Sequence, residues 1–356
     1  MGQVVQAGDG RRLAVESWGA PDGRPIILIH GTPGSRVGPR PRGIVLHRRG
    51  IRLISYDRPG YGGSDRRPGR SVADAAGDVA TIADALGLDR FGVVGRSGGG
   101  PHALACAAVL PDRVDRAAAL VSLAPSTAGD LDWYAGMAPS NARSYRKLDA
   151  DPAAVVRDIC RRARQIRDDP RRMLTELWPE LDSADKKVVS DVAIRRILTD
   201  TYAAALGGTA DGWVDDVLAL RRPWGFEPSA IKAPVMLWHG GADKFSPLRH
   251  TYWLADQISD ARVLVHPEAA HFGAVQILPD VLSWVAYGQY RPCHARPDAR
   301  AHASERLRID DPQRPLAVHE RGDIGMLGPQ DPPEPLDDLL ALGRGSRLAP
   351  LMAGEE

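Results

Sequence analysis

Short runs of consecutive apolar residues punctuate the chain, and between them apolar residues recur three and four positions apart. The runs are Ile26-Ile27-Leu28-Ile29, residues 51–56, Phe91-Gly92-Val93-Val94, residues 117–123, Pro234-Val235-Met236-Leu237-Trp238 and residues 262–265. A run that is apolar at every position predicts a strand covered on both faces, as in a parallel sheet. Ahead of them, Val4-Val5 and residues 13–18 flank Gly8-Asp9-Gly10, which predicts a hairpin. Helical spacing links Val72, Ala75, Val79, Ile82, Ala83 and Leu86, with Ser71 as N-cap and Asp74 three residues on. Residues 101–110, 248–258 and 274–287 complete the helices of this layer. Strands alternating with helices predict the α/β class, a mostly parallel central sheet flanked by helices.

The alternation stops at residues 126–233. This region is rich in Arg, Asp, Ala and Leu and has helical patterns but no strand-like run. Its clearest helix, residues 151–167, starts near Pro152 and puts Val155, Ile159, Ala163 and Ile166 on one face. The arginines opposite read as a solvated face. The pattern predicts a helical cap over 126–233 inserted into a core made of 1–125 and 234–288. Trp133, Tyr134, Met137, Trp178, Trp213 and Trp224 are candidates to line an apolar cavity beneath it, with Trp133, Trp178 and Trp213 the candidate substrate contacts. From 289 to 356, Pro, Arg, Asp and Gly dominate and periodicity fades apart from residues 336–342, which predicts a disordered or weakly docked tail.

Composition narrows the function classes. A net charge of +1 over 356 residues supplies no field to recruit nucleic acid or acidic lipid. The basic pairs Arg161-Arg162 and Arg171-Arg172 lack interleaved aromatics, which also argues against nucleic acid. Cys106, Cys160 and Cys293 form no C-x-x-C pair, against a zinc site or disulfide framework and in keeping with a reducing compartment. No apolar run could cross a bilayer, residues 1–12 have no secretory h-region, and Gln6 stands where a myristoylation signal has Ser or Thr. The expectation is a soluble cytoplasmic protein without metal, cofactor or membrane insertion, acting on a small molecule. Oligomeric state is left open.

The chemistry gathers after the third apolar run. Phe91-Gly92-Val93-Val94 leads into Gly95-Arg96-Ser97-Gly98-Gly99-Gly100 and then a helix. A serine with glycine two before and two after, between strand and helix, fits the G-x-S-x-G nucleophile elbow. Side chains at Gly95 or Gly99 would collide with neighbouring backbone. The helix that follows aims unpaired N–H groups and partial positive charge at the reacting centre.

Four motifs in order resemble the α/β-hydrolase superfamily, in its large single-domain, cap-bearing branch: His30-Gly31-Thr32-Pro33 after the third strand, residues 57–64 after the fourth, residues 95–99 after the fifth, and a late acid and histidine. The resemblance spans residues 4–287 and implies the α/β-hydrolase fold with a serine nucleophile, then an acid, then a histidine in chain order. That order maps onto Ser97, Asp243 just past the penultimate strand, and His271 in the loop after the last. It also implies an oxyanion hole from the backbone N–H groups of Thr32 and Gly98. The run Leu123-Ala124-Pro125-Ser126 after the sixth strand offers no rival carboxylate. Among the histidines, His266 reads as strand, His239 as packing support, His102 as a satisfied helix residue and His30 as shaping its loop. Residues 57–64 read as a turn beneath the site. Arg96 faces either substrate or solvent.

The activity this implies is hydrolysis of a small or medium carboxylic ester through a Ser-His-Asp triad and an acyl-enzyme. A proline-iminopeptidase-like activity is the nearest alternative, although those peptidases usually carry tryptophan where this chain has Gly98. Carbon–carbon hydrolase and cofactor-free perhydrolase chemistry use the same triad, and the fold also serves as a small-ligand receptor.

Overall fold

The computed structural model describes residues 2–290. Cys293 and nearly all of the predicted tail lie outside the described residues. The eight strands are β1 (Gly2–Gln6), β2 (Arg12–Gly19), β3 (Arg24–Ile29), β4 (Ile51–Tyr56), β5 (Phe91–Arg96), β6 (Val114–Leu120), β7 (Val235–Gly240) and β8 (Ala261–His266). They form one sheet in the order β1-β2-β4-β3-β5-β6-β7-β8. β2 runs antiparallel to both β1 and β4, and every pairing from β4 to β8 is parallel.

Helices α1 (Gly43–Arg48), α2 (Ala75–Ala85) and α3 (Gly99–Val109) follow β3, β4 and β5. Between β6 and β7 come α4 (Pro139–Ala150), α5 (Pro152–Asp168), α6 (Arg172–Leu177), α7 (Ser183–Ser190), α8 (Val192–Leu206) and α9 (Asp211–Arg221). Then α10 (Leu248–Gln257) and α11 (Gly273–Tyr287) flank β8. Alternation along each strand explains the two cores. Ile27, Ile29 and Val93 face one side with Val79, Ile82 and Leu104, whereas Ile26, Leu28 and Val94 face the other with Leu278, Val281 and Val285. A third core belongs to the helical insert. Val155, Ile159, Ala163 and Ile166 of α5 meet Leu198 and Tyr202 of α8, together with Tyr61, Phe245 and Phe272 from loops at the sheet edge. The insert thus packs on the loops that follow the strands.

Local differences from the sequence pattern have physical causes. β6 occupies 114–120 instead of 117–123, because Val121 turns to a φ of 46° and leaves the sheet. α2 begins at Ala75, since the Asp74 carboxylate accepts both the N–H and the hydroxyl of Ser71 and holds that stretch as a turn. Among the described residues, no helix is long and apolar enough to cross a membrane.

Candidate active site

β5 ends at Arg96 and α3 begins at Gly99, so the chain reverses over Ser97 and Gly98. Ser97 has a φ of 54°, a left-handed conformation rare for residues with a side chain. The turn is held because Ser97 N–H donates to Leu120 O at 2.8 Å and Gly100 N–H to Ser97 O at 2.8 Å. A Cβ on Gly95 would overlap the Gly99 carbonyl oxygen, so strand and helix meet backbone to backbone.

Asp243 and His271 come together on the loops after β7 and β8. His271 Nδ1 donates to Asp243 Oδ2 at 2.8 Å. The other carboxylate oxygen accepts the N–H groups of Phe245 at 2.8 Å and Ser246 at 3.1 Å, which fixes its orientation. Both side chains are buried. With Nδ1 as donor, Nε2 is the ring nitrogen left outside the pair. The ring is wedged edge-on between Phe245 and Phe272, with centroids 5.4 Å and 5.8 Å away. Val121 N–H donates to Trp238 O at 2.9 Å, so the tips of β5, β6 and β7 are adjacent. At about 4.8 Å per strand, the elbow and the Asp243 loop stand roughly 10 Å apart at the backbone, a span two side chains can cover. Among the described residues no hydrogen bond joins Ser97 Oγ to the ring; such contacts commonly tighten only once substrate is engaged.

The loop after β3 is clamped from the insert. Asp216 of α9 is fully buried and accepts Thr32 Oγ1 at 2.5 Å, Tyr61 OH at 2.8 Å and Arg70 Nη2 at 2.5 Å, as well as the Arg58 guanidinium. Burial pushes this carboxyl up, but the two guanidiniums outweigh it and hold it well below the usual carboxylate range. Arg58 also donates to the carbonyl oxygens of His30 and Gly31. His30 closes the loop on itself, Nδ1 donating to Gly31 O at 2.8 Å and Nε2 accepting Arg58 N–H at 3.1 Å, and burial keeps the ring neutral. A Cβ on Gly98 would overlap Thr32 Oγ1 and sit 3.4 Å from Thr32 N, so the two expected oxyanion donors lie side by side.

A second aspartate of the insert holds the histidine loop. Asp185 of α7 is buried and accepts the backbone N–H of His271 at 3.2 Å and of Phe272 at 2.6 Å. Burial drives its carboxyl up to about 6 against the pull of the His271 ring and those N–H groups.

A family profile described as alpha/beta hydrolase fold matches residues 24–276. The chain belongs to the α/β-hydrolase family. Over 267 residues, 72% of this chain and 83% of the relative, it is 29% identical to a 2-hydroxymuconate semialdehyde hydrolase of Pseudomonas putida. It is 31% identical to a proline iminopeptidase of Neisseria meningitidis over 115 residues, 31% of this chain and 36% of that one. Among solved structures, the enol-lactonase from Burkholderia xenovorans LB400 superposes over 80% of this chain and 98% of its own with a TM-score of 0.58 at 20% identity. That likeness is one of fold.

Within this α/β-hydrolase frame the other sequence candidates separate. Trp133 packs in the sheet core with its indole donating to Ala124 O at 3.0 Å, and Trp224 stacks on Phe226. Trp213 lies in the insert core under Arg162. Trp178 is 41% exposed beneath Lys186. His102 donates from Nδ1 to Gly98 O at 2.7 Å, and burial lowers its pKa to about 3. His239 bonds Thr251 and Ser246, and His266 ends β8 on the surface. In the turn at 57–64, Asp57 accepts the backbone N–H groups of Arg36 and Gly63. Among the described residues, no group of three or more His, Cys, Asp or Glu side chains is set to hold a metal ion.

Asp185 and Asp216 were not foreseen. Asp185 reads as an ordinary acid in a helix first turn, and Asp216 follows another aspartate, Asp215. The one available signal was an acid inside the apolar spacing of Trp213, Val214 and Val217, which marks a buried charge needing a partner.

Proposed function

We propose that this α/β-hydrolase cleaves a small or medium carboxylic ester by an acyl-enzyme route, with Ser97 as nucleophile, His271 as base and Asp243 as the acid that orients it. The observation that carries the reading is the buried His271–Asp243 pair at 2.8 Å, which leaves Nε2 outside the pair at the sheet edge that also bears Ser97. A serine hydroxyl is a weak nucleophile near neutral pH, so Nε2 takes its proton as Oγ attacks the ester carbonyl. The negative charge on the former carbonyl oxygen meets the N–H groups of Gly98 and Thr32, each worth about 2.7–4 kcal/mol to the transition state. His271 then hands its proton to the leaving alkoxide, and Asp243 stabilises the imidazolium meanwhile. Water, activated by the same ring, attacks the acyl-Ser97 ester and releases the acid. The helices between β6 and β7 act as the cap over this reaction.

The test is turnover of a short-chain p-nitrophenyl ester together with labelling by a fluorophosphonate. Ser97→Ala removes the labelling and lowers kcat on the order of 10⁶-fold. Equal turnover in that variant refutes the assignment. The similarity to a 2-hydroxymuconate semialdehyde hydrolase favours carbon–carbon hydrolysis as a second reading, in which the same residues act on a ketone. Turnover of a vinylogous diketone, with no ester cleaved, selects it.

A further inference from the structure

We propose that Arg96 is a carboxylate anchor, so that the acyl part of the substrate ends in a carboxylate: a monoester of a short dicarboxylic acid. This rests on the ester-hydrolase reading above and adds the substrate's charge to it. Arg96 immediately precedes Ser97 and is half-buried. Its guanidinium lies beside the loop after β3, with Nη2 3.6 Å from where a Cβ on Gly31 would stand. It lines a small, mostly apolar cavity of about 20 Å³ with His30, Ser35 and Thr201 and with Leu28, Ile29 and Leu278, room for about one water.

Four other arginines near this sheet edge hold carboxylates. Arg58 and Arg70 share Asp216, Arg36 pairs with Asp57, and Arg66 pairs with Asp215. Among the described residues no hydrogen bond or ion pair engages the Arg96 guanidinium; the nearby Asp243 and Asp185 are committed to His271 and to backbone N–H groups. A shielded cation that no carboxylate touches is costly, and burial lowers its pKa against the weaker pull of Tyr202, Asp185 and Asp243. A planar fork of donors that no carboxylate holds, beside the loop after β3, matches a carboxylate in two-point contact.

The strand order says which end of the ester the anchor holds. In β3-β5-β6-β7-β8, the cavity lies on the β3 side of Ser97 and His271 arrives from the β8 side. The leaving oxygen must sit within reach of His271, because that ring protonates it. The acyl chain therefore points the opposite way, toward Arg96.

The experiment compares p-nitrophenyl hydrogen glutarate with p-nitrophenyl pentanoate, matched in length but differing in the terminal carboxylate. Wild type is expected to prefer the anionic ester in kcat/KM. In Arg96→Gln that preference ratio falls about tenfold or more, chiefly through KM, and Arg96→Lys restores part of it. Calorimetry supplies a readout independent of turnover: free glutarate binds wild type, the uncharged diol of the same length does not, and binding is lost in Arg96→Gln. A ratio unchanged by Arg96→Gln overturns the anchor while leaving the esterase reading intact. Should neither ester turn over and no fluorophosphonate label Ser97, the esterase reading fails, and glutarate binding alone decides the anchor. If Arg96→Gln does not fold, wild type that neither prefers the anionic ester nor binds glutarate overturns it.

Discussion

The carboxyl of Asp185 gives the protein a proton-linked hold on its histidine loop. The group is buried, among the described residues it accepts only the N–H groups of His271 and Phe272, and burial raises it from 3.8 to about 6. A raised carboxyl means that the folded protein binds this proton more tightly than the unfolded chain does. Its contribution to stability is therefore fully present below 3.8 and lost as pH rises through 6. With those two values, linkage gives about 1 kcal/mol of added stability at pH 5 and about 2 kcal/mol at pH 4, relative to pH 8. Urea unfolding at each pH, for wild type and Asp185→Ala, isolates the effect, because the other titrating groups are common to both proteins. The wild type minus variant difference should grow by about 2 kcal/mol from pH 8 to pH 4. A difference that stays level across this range, or falls toward acid, refutes the linkage.

Three further outcomes follow from the geometry. Asp216→Ala leaves the buried guanidiniums of Arg58 and Arg70 without their shared carboxylate and should cost about 3–5 kcal/mol in urea unfolding; a loss under about 1 kcal/mol would mean that water or rearrangement replaces the pairs. Asp243→Asn keeps the shape but presents an amide donor toward Nδ1, so ester kcat should drop about 10⁴-fold with little change in thermal stability. In Gly98→Ala the new methyl meets Thr32 Oγ1 and displaces one of the two proposed oxyanion donors, which predicts a kcat loss of about 10²–10³ with KM little changed; a pure KM effect would place the clash in substrate binding instead.

The strands were legible because burial on both faces leaves a periodic mark that needs no partner: Ile26-Ile27-Leu28-Ile29 divides between the two cores by simple alternation. The elbow was legible for a similar reason, since a glycine forced by close backbone approach is visible one residue at a time, as at Gly95. His271 and Asp243 could be named only through the chain order of a known family; their own neighbours, Ala270 and Ala242, say nothing of a pairing across 28 residues. The β6 boundary escaped because residues 121–123 are apolar enough to continue a strand, and only the backbone turn at Val121 ends it. Among the five aromatics and one methionine expected under the insert, hydrophobicity could not tell core from cavity. Trp133 and Trp224 went to the sheet core and Trp178 to the surface, while Thr201 and Arg96, which no apolar pattern selects, line the cavity.

The two insert aspartates show why the pattern break at residues 126–233 is not an energetic boundary. Asp216 and Asp185 are both buried, yet burial meets opposite surroundings. Two guanidiniums surround the first and keep it ionised, while the second has mainly peptide dipoles and the neighbouring imidazole, so its carboxyl rises. Asp216 is thus a permanent ionic clamp on Thr32 and the loop after β3, and Asp185 a titratable one on His271 and the loop after β8. A swing of the whole insert away from the sheet would strand Arg58 and Arg70 and uncap two backbone N–H groups beside the histidine. The cost of the stranded arginines alone is of the order that holds a domain folded, about 5 kcal/mol. Any opening above the sheet edge must therefore leave α7 and α9 seated, and the helical insert belongs to the framework that holds the loops after β3 and β8 as fully as the sheet does.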